Sequence, residues 1–184
     1  LIEFDQSKAD QAMNAFSKCS ESGWISDGVV SQSEAQAKAL WQLREGISES
    51  IAAYTPYKND LSVRISDIPD FLLKVDDYAS QSYPGFEVCW YGHIGDGNLH
   101  LNILRPEEMS VKEFMHHGHE MSPSIFEIVS EVSGSISAEH GVGLLKKDFL
   151  GYSRSPDEQD LMRGLKMLFD PHQILNPGKL LSSQ

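Results

Sequence analysis

The segment GHIGDGNLH, residues 92–100, constrains this chain more than any other. Asp-Gly between alternating residues is a strong hairpin signal, and a two-residue turn on Asp96-Gly97 would pair Gly95 with Asn98, Ile94 with Leu99 and His93 with His100. After the turn, Leu99, Leu101 and Ile103 alternate with Asn98, His100 and Asn102, so the strand has one apolar and one polar face. The incoming strand sets Phe86, Val88 and Trp90 against Glu87, Cys89, Tyr91 and His93, and the same register puts Tyr91 opposite Asn102. A pair of strands patterned this way belongs in an antiparallel sheet with one face on a core.

The polar face has two readings. If His93 and His100 are directly opposed, their Cβ atoms lie about 5 Å apart. With a carboxylate from a distant segment they would then make a three-ligand metal site with room for a substrate, floored by Tyr91 and Asn102. The same residues would serve equally as a solvated outer face with two incidental histidines. Glu139-His140, inside SAEHGVG, is the candidate distant segment. Neighbours on an extended chain point in opposite directions, so at most one faces the site unless the backbone turns, which Gly141 and Gly143 make easy. Alternatively, Glu139 favours the N-terminus of a following helical turn. His116, His117 and His119 are a second histidine cluster, but no carboxylate motif fixes them and they read as a solvated surface segment.

A helix from about Ser33 to Ile51 supplies an independent clue. At 100° per residue Arg44 falls within the arc of Leu40, Ile47 and Ile51, with Ser48 and Trp41 beside it. A charge on a core-facing stripe needs an anionic partner, either a substrate carboxylate or a structural Asp or Glu. Lys58, at the mouth of a strand carrying Leu61, Val63 and Ile65, is a further cation.

Elsewhere the pattern predicts short strands at Leu1 to Phe4, Gly28 to Ser31 and Ser135 to Ala138. It predicts helices opening at Ser7, ending at Gly23; at Asp67-Ile68-Pro69, burying Phe71, Leu72, Val75 and Tyr78; and through Ile125 to Val132. A capping box at Ser155-Pro156-Asp157-Glu158 opens the last helix, whose stripe of Leu161, Met162, Leu165, Leu168 and Phe169 reads as core, and an irregular tail runs from Asp170 to Gln184. Helices and strands alternate, but the central hairpin favours an α+β fold, an antiparallel sheet with helices packed mainly on one face. At 184 residues and 40% hydrophobic, the chain has the size of one compact domain or two intimate subdomains. A net charge of −12 argues against binding nucleic acid or anionic membranes, so an anionic ligand must be captured locally. No apolar run approaches the roughly 20 residues of a membrane span. Leu1, with neither a charged leader nor an initiator Met, reads as the start of a piece of something longer. Cys19 and Cys89 lack metal or redox spacing and read as two reduced thiols.

GHIGDGNLHLNI, SISAEHGVG and FDPHQILNPGKLLSSQ, in that order, together with LWQLREGI and DFLGYS, resemble the C-terminal substrate domain of FAD-linked 2-hydroxyacid dehydrogenases of the vanillyl-alcohol oxidase-like flavin fold. The resemblance covers essentially residues 1–184. It implies a ferredoxin-like cap over FAD, which is bound mainly by an N-terminal FAD domain of the same parent chain, so this segment alone is expected to be inactive. It implies His93, His100 and Glu139 as ligands of a divalent metal, usually zinc, and His140 as the catalytic base. It implies that Arg44, Lys58 and Asn102 hold substrate carboxylates, that Ser48 stands where close family members have Thr, and that Asn176 and Lys179 lie in a segment returning towards the flavin. The activity implied is oxidation of a small 2-hydroxy acid, D-2-hydroxyglutarate, to 2-oxoglutarate by hydride transfer to flavin, with the electron acceptor left open. D-lactate or glycolate would keep the chemistry and change the substrate. Readings of another class are a stand-alone metal or carboxylate binding module and a zinc hydrolase with His140 as base. The location implied is cytoplasmic, or the mitochondrial matrix in a eukaryote.

Overall fold

The structure, a computed structural model, describes residues 1–181; the last three residues of the expected tail lie outside the described residues. The chain divides into two units, Leu1–Ala53 and Tyr54–Gln184.

The first unit holds α1 (Ala9–Glu21), α2 (Glu34–Glu45) and α3 (Ile47–Ala52). Gly23, at φ 70°, ends α1 as its sequence suggests, and the Trp24 N–H then donates to the Cys19 carbonyl at 2.9 Å. Ser33 caps α2 by accepting from the Gln36 N–H. The single helix expected over 33–51 is instead two, because Gly46 closes α2 with a bond to Gln42 O and α3 begins after it. The expected strands at residues 1–4 and 28–31 do not form; a strand without a partner leaves its backbone groups unpaired. Ile51 is the one buried apolar residue among the described residues of this unit.

The second unit holds β1 (Tyr57–Ser62), α4 (Ile68–Ser82), β2 (Glu87–His93), β3 (Asn98–Leu104), α5 (Val111–Glu131) and α6 (Pro156–Phe169). The sheet order is β1-β3-β2 with both pairs antiparallel, so β1 and β2 run parallel with β3 between them and α4 as the crossover. One sheet face supplies Leu61, Leu99, Leu101 and Ile103 to the core. Phe71 and Val75 of α4 and Phe114, Met121, Ile125, Phe126 and Val129 of α5 cover them. Only a bridge between Ser62 and Ser135 forms where a strand over 135–138 was expected.

Helix α5 starts well before its apolar run, at Ser110, whose hydroxyl accepts from the Glu113 N–H, and it continues through Pro123. His116, His117 and His119 therefore sit on a helix, where His116 and His119 are exposed, in keeping with a solvated surface segment. Gly118 lets α5 close on the sheet, since a Cβ there would lie 2.4 Å from the Tyr57 ring. The Tyr57 hydroxyl is 2.8 Å from Ser122 Oγ, which donates to Gly118 O. Helix α6 has both halves of its capping box, but its stripe is not core: Leu161 is 70% and Leu168 72% exposed, and no residue of α6 joins the core cluster. Periodicity tells which side of a helix is apolar, not what covers it.

Candidate metal and substrate site

The hairpin closes on a four-residue loop, residues 94–97, rather than a two-residue turn. The N–H groups of Asp96 and Gly97 donate to His93 O at 3.2 and 3.1 Å, and the Asp96 carboxylate accepts from the Asn98 N–H. Gly97 has φ 79°, and a Cβ there would lie 2.0 Å from Val63 O, because the Val63 N–H reaches across to Gly97 O at 3.1 Å. The loop tip is thus fastened to the end of β1. The resulting register pairs His93 with Asn98, Tyr91 with His100 and Cys89 with Asn102, two residues away from the expected pairing. An even displacement keeps every side chain on its expected face, but His93 and His100 become diagonal rather than opposed. Their ring centroids are 5.8 Å apart with planes at 79°, and Tyr91, opposite His100, lies 4.9 Å from it.

Strand β1 adds Lys58 opposite Asn102, Asp60 opposite His100 and Ser62 opposite Asn98. The polar face therefore has three rows: Lys58-Asn102-Cys89, Asp60-His100-Tyr91 and Ser62-Asn98-His93. Lys58 lies within the strand, not in the loop before it. Asn102 is fully buried; its Nδ2 donates to His100 O at 3.1 Å while Oδ1 is buried without a partner.

The SAEHGVG segment folds over this face because the buried Asp60 gathers it. Asp60 Oδ2 accepts the N–H groups of Ala138, Glu139 and His140 at 3.1, 2.8 and 3.3 Å. The Glu139 carboxylate then stands 3.5 Å from His93 Nε2 and accepts from Asn98 Nδ2 at 3.2 Å. One ligand atom from each of His93, His100 and Glu139 lies within 4.8 Å of the others, the one such group among the described residues. Tetrahedral bonds of about 2.1 Å place ligand atoms about 3.4 Å apart, so the His93–Glu139 pair is already at that spacing and the third ligand needs a small closure. Two nitrogens and a carboxylate fit zinc and also suit iron, cobalt or manganese. The second histidine cluster does not converge: His116 and His117 each stand 3.4 Å from Glu120, and His119 packs edge-on against Phe149.

Two residues that sequence reasoning passed over hold the site in place. Burial pushes the Asp60 carboxyl up, but the N–H groups of Glu139 and His140 and the imidazoles of His100 and His140 outweigh it and hold the group below the usual carboxylate range. Burial lowers Lys146 to about 8; its ammonium donates to Asp60 O at 3.2 Å and Ile136 O at 2.5 Å and lies 5.8 Å from the Phe126 ring centre. The signal for Asp60 was an acidic residue inside a strand pattern, where Asp is depleted.

His140 is exposed at the loop, where its carbonyl accepts from the Ser137 hydroxyl. Arg44 is exposed on α2, so the buried charge inferred from the helical arc is not present, and Ser48 is exposed on α3; both belong to the first unit. Lys179 donates to Asn176 Oδ1 at 3.4 Å. Their segment returns to the SAEHGVG loop, with the Leu180 N–H donating to Gly143 O and Lys147 to Gly178 O.

Residues 1–180 match the family described as FAD linked oxidases, C-terminal domain. The chain is 50% identical over its whole length to D-2-hydroxyglutarate dehydrogenase of Stutzerimonas stutzeri, covering 40% of that protein. It is 51% identical over 97% of its length to the D-2-hydroxyglutarate dehydrogenase of Xanthomonas citri pv. viticola, covering 38%. A Schizosaccharomyces pombe protein, provisionally named a mitochondrial D-lactate dehydrogenase, is 42% identical over 84% of the chain. The chain spans about two fifths of the length of the first two relatives. No helix among the described residues is long and apolar enough to cross a membrane.

Proposed function

The chain belongs to the family of C-terminal domains of FAD linked oxidases, and from that premise we propose that it is the substrate and metal domain of an FAD-dependent D-2-hydroxyacid dehydrogenase acting on D-2-hydroxyglutarate. FAD would be held mainly by an N-terminal domain of the same parent protein. The observation that carries the reading is the convergence of His93, His100 and Glu139 on the sheet face that also presents Lys58 and Asn102. A divalent ion held by those three ligands would supply Lewis acidity at the 2-hydroxyl and adjacent carboxylate, and the flavin would accept the hydride.

The chain's own residues would do the rest. His140, next to the ligand Glu139 on a loop tied to Asp60, takes the hydroxyl proton. Lys58 and Asn102 occupy the row beyond His100, one two-residue step along the strands, or about 7 Å. The carboxyl carbons of an extended five-carbon diacid are about 5 Å apart, given ~1.5 Å bonds, so a cation one row from the metal ligands suits a distal carboxylate. D-lactate and glycolate have no such group. For Arg44 and Ser48 the roles in holding carboxylates, and for Asn176 and Lys179 the position towards the flavin, rest on family resemblance. Relatives from Arabidopsis thaliana and Bos taurus are named mitochondrial, which supports a mitochondrial location in a eukaryote; the matrix, or the cytoplasm of a bacterium, rests on family resemblance.

Zinc measured on the purified chain and on a His93→Ala, His100→Ala double variant tests the metal site. About one equivalent, lost in the variant, is expected; equal content in both overturns it. Calorimetric titration of the zinc-loaded chain is expected to show tighter binding of D-2-hydroxyglutarate than of D-lactate, with the preference reduced in Lys58→Ala. Equal binding of the two acids sinks the diacid assignment.

A further inference from the structure

We propose that Asp60 is a positioning residue for this site, one buried carboxylate that sets the tautomer of His100 with one oxygen and the placement of Glu139 and His140 with the other. This rests on the metal reading above and adds to it a residue that is not itself a ligand.

Oδ2 is the receiving point for three consecutive N–H groups, those of Ala138, Glu139 and His140. Oδ1 faces the other way, 3.1 Å from His100 Nδ1, and is otherwise buried without a hydrogen-bond partner. A buried carboxylate oxygen in that position demands a proton donor, and the imidazole is the group beside it. A neutral imidazole carries one N–H, so placing it on Nδ1 leaves the lone pair on Nε2 for an ion. A carboxylate that fixes a ligand histidine in this way raises its basicity and locks the ring plane, and loss of such a partner typically costs about 10- to 100-fold in metal affinity. Asp60 differs from an ordinary outer partner in that the same side chain also anchors the segment bearing the third ligand. The two halves of the donor set, separated by some forty residues of sequence, are thereby referred to one rigid point on β1. Lys146, bonded to Asp60 O and Ile136 O, holds that point from the main-chain side.

Asp60→Asn separates a positioning role from a merely structural one. Its amide oxygen must take over the three N–H groups, because an NH2 there would face donors. The NH2 then points at His100 Nδ1, which must become the acceptor, moving the imidazole proton to Nε2. The expected results are a folded chain, His100 in the Nε2–H form by 15N-detected histidine spectra of the metal-free protein at about pH 9, above the ordinary imidazole range, and zinc affinity lower by about 10- to 100-fold in chelator competition. A variant that keeps the Nδ1–H form and wild-type zinc affinity overturns the proposal, whatever happens to its melting temperature. If Asp60→Asn does not fold, the wild-type spectrum decides: Nδ1–H on His100 supports the assignment and Nε2–H refutes it. The metal-free spectrum stands apart from the metal reading, which fails separately if wild-type zinc binding is unaffected by His93→Ala.

Discussion

At Gly97 the loop tip lies so close to the Val63 carbonyl that any Cβ would meet it at 2.0 Å, and its φ of 79° disfavours other residues besides. Gly97→Ala should therefore cost about 2–4 kcal/mol in denaturant unfolding, beyond the usual penalty for alanine at positive φ; a loss under about 0.5 kcal/mol would mean that the tip is not held against β1. The Asp96-Gly97 dipeptide announced a reversal here, and the alternation after it announced which side chains share a face. The loop length was not legible, because it is set by Val63, just past the end of β1 and more than thirty positions away. Asp60 was missed for the same kind of reason: its partners, residues 138–140, lie nearly eighty positions away. His93, His100 and Asn102 stood out through local alternation, while Arg44 was placed on a buried arc by a helical wheel that assumed one unbroken helix.

Among the elements, those with strong local punctuation were readable: the hairpin strands, α4 with Pro69 in its first turn, and α6 with its capping box. The start of α5 was obscured by Pro123 and a polar histidine run, although Ser110 and Glu113 carried the cap. The segment from SAEHGVG to Lys146 has no regular pattern, and it is ordered by buried polar bonds instead. Lys146 supplies a test. Its folded-state value of about 8 lies below the ordinary 10.5, so between those pH values the unfolded chain binds more protons and stability rises with pH. Below pH 8 both states are charged and the fold bears the cost of the buried ammonium. The difference in unfolding free energy between wild type and Lys146→Met should thus shift towards wild type by about 2–3 kcal/mol between pH 8 and 10.5. A difference that stays flat across that window would show that Lys146 titrates normally.

For the molecule as a whole, burial is unevenly distributed. Apart from Ile51, the buried apolar residues among the described residues belong to the second unit, while Trp24, Val29 and Leu43 of the first are 75–79% exposed. Limited chymotrypsin digestion should cut within residues 1–53 first and leave a product beginning near Tyr54 that retains the zinc of the intact chain, measured by elemental analysis. Zinc lost with the first fragment would place a ligand there. The net charge of −12 fits this picture, since cations are placed at particular points of an acidic surface rather than spread over it. The approach of Glu139 to His93 has a further consequence at this scale. An ion shared by those residues would act as a staple between the end of β2 and the SAEHGVG segment, which otherwise meets the polar sheet face through a few hydrogen bonds. The melting temperature would then report free metal in the surroundings, rising by the equivalent of about 2.7 kcal/mol at a hundredfold excess over the dissociation constant.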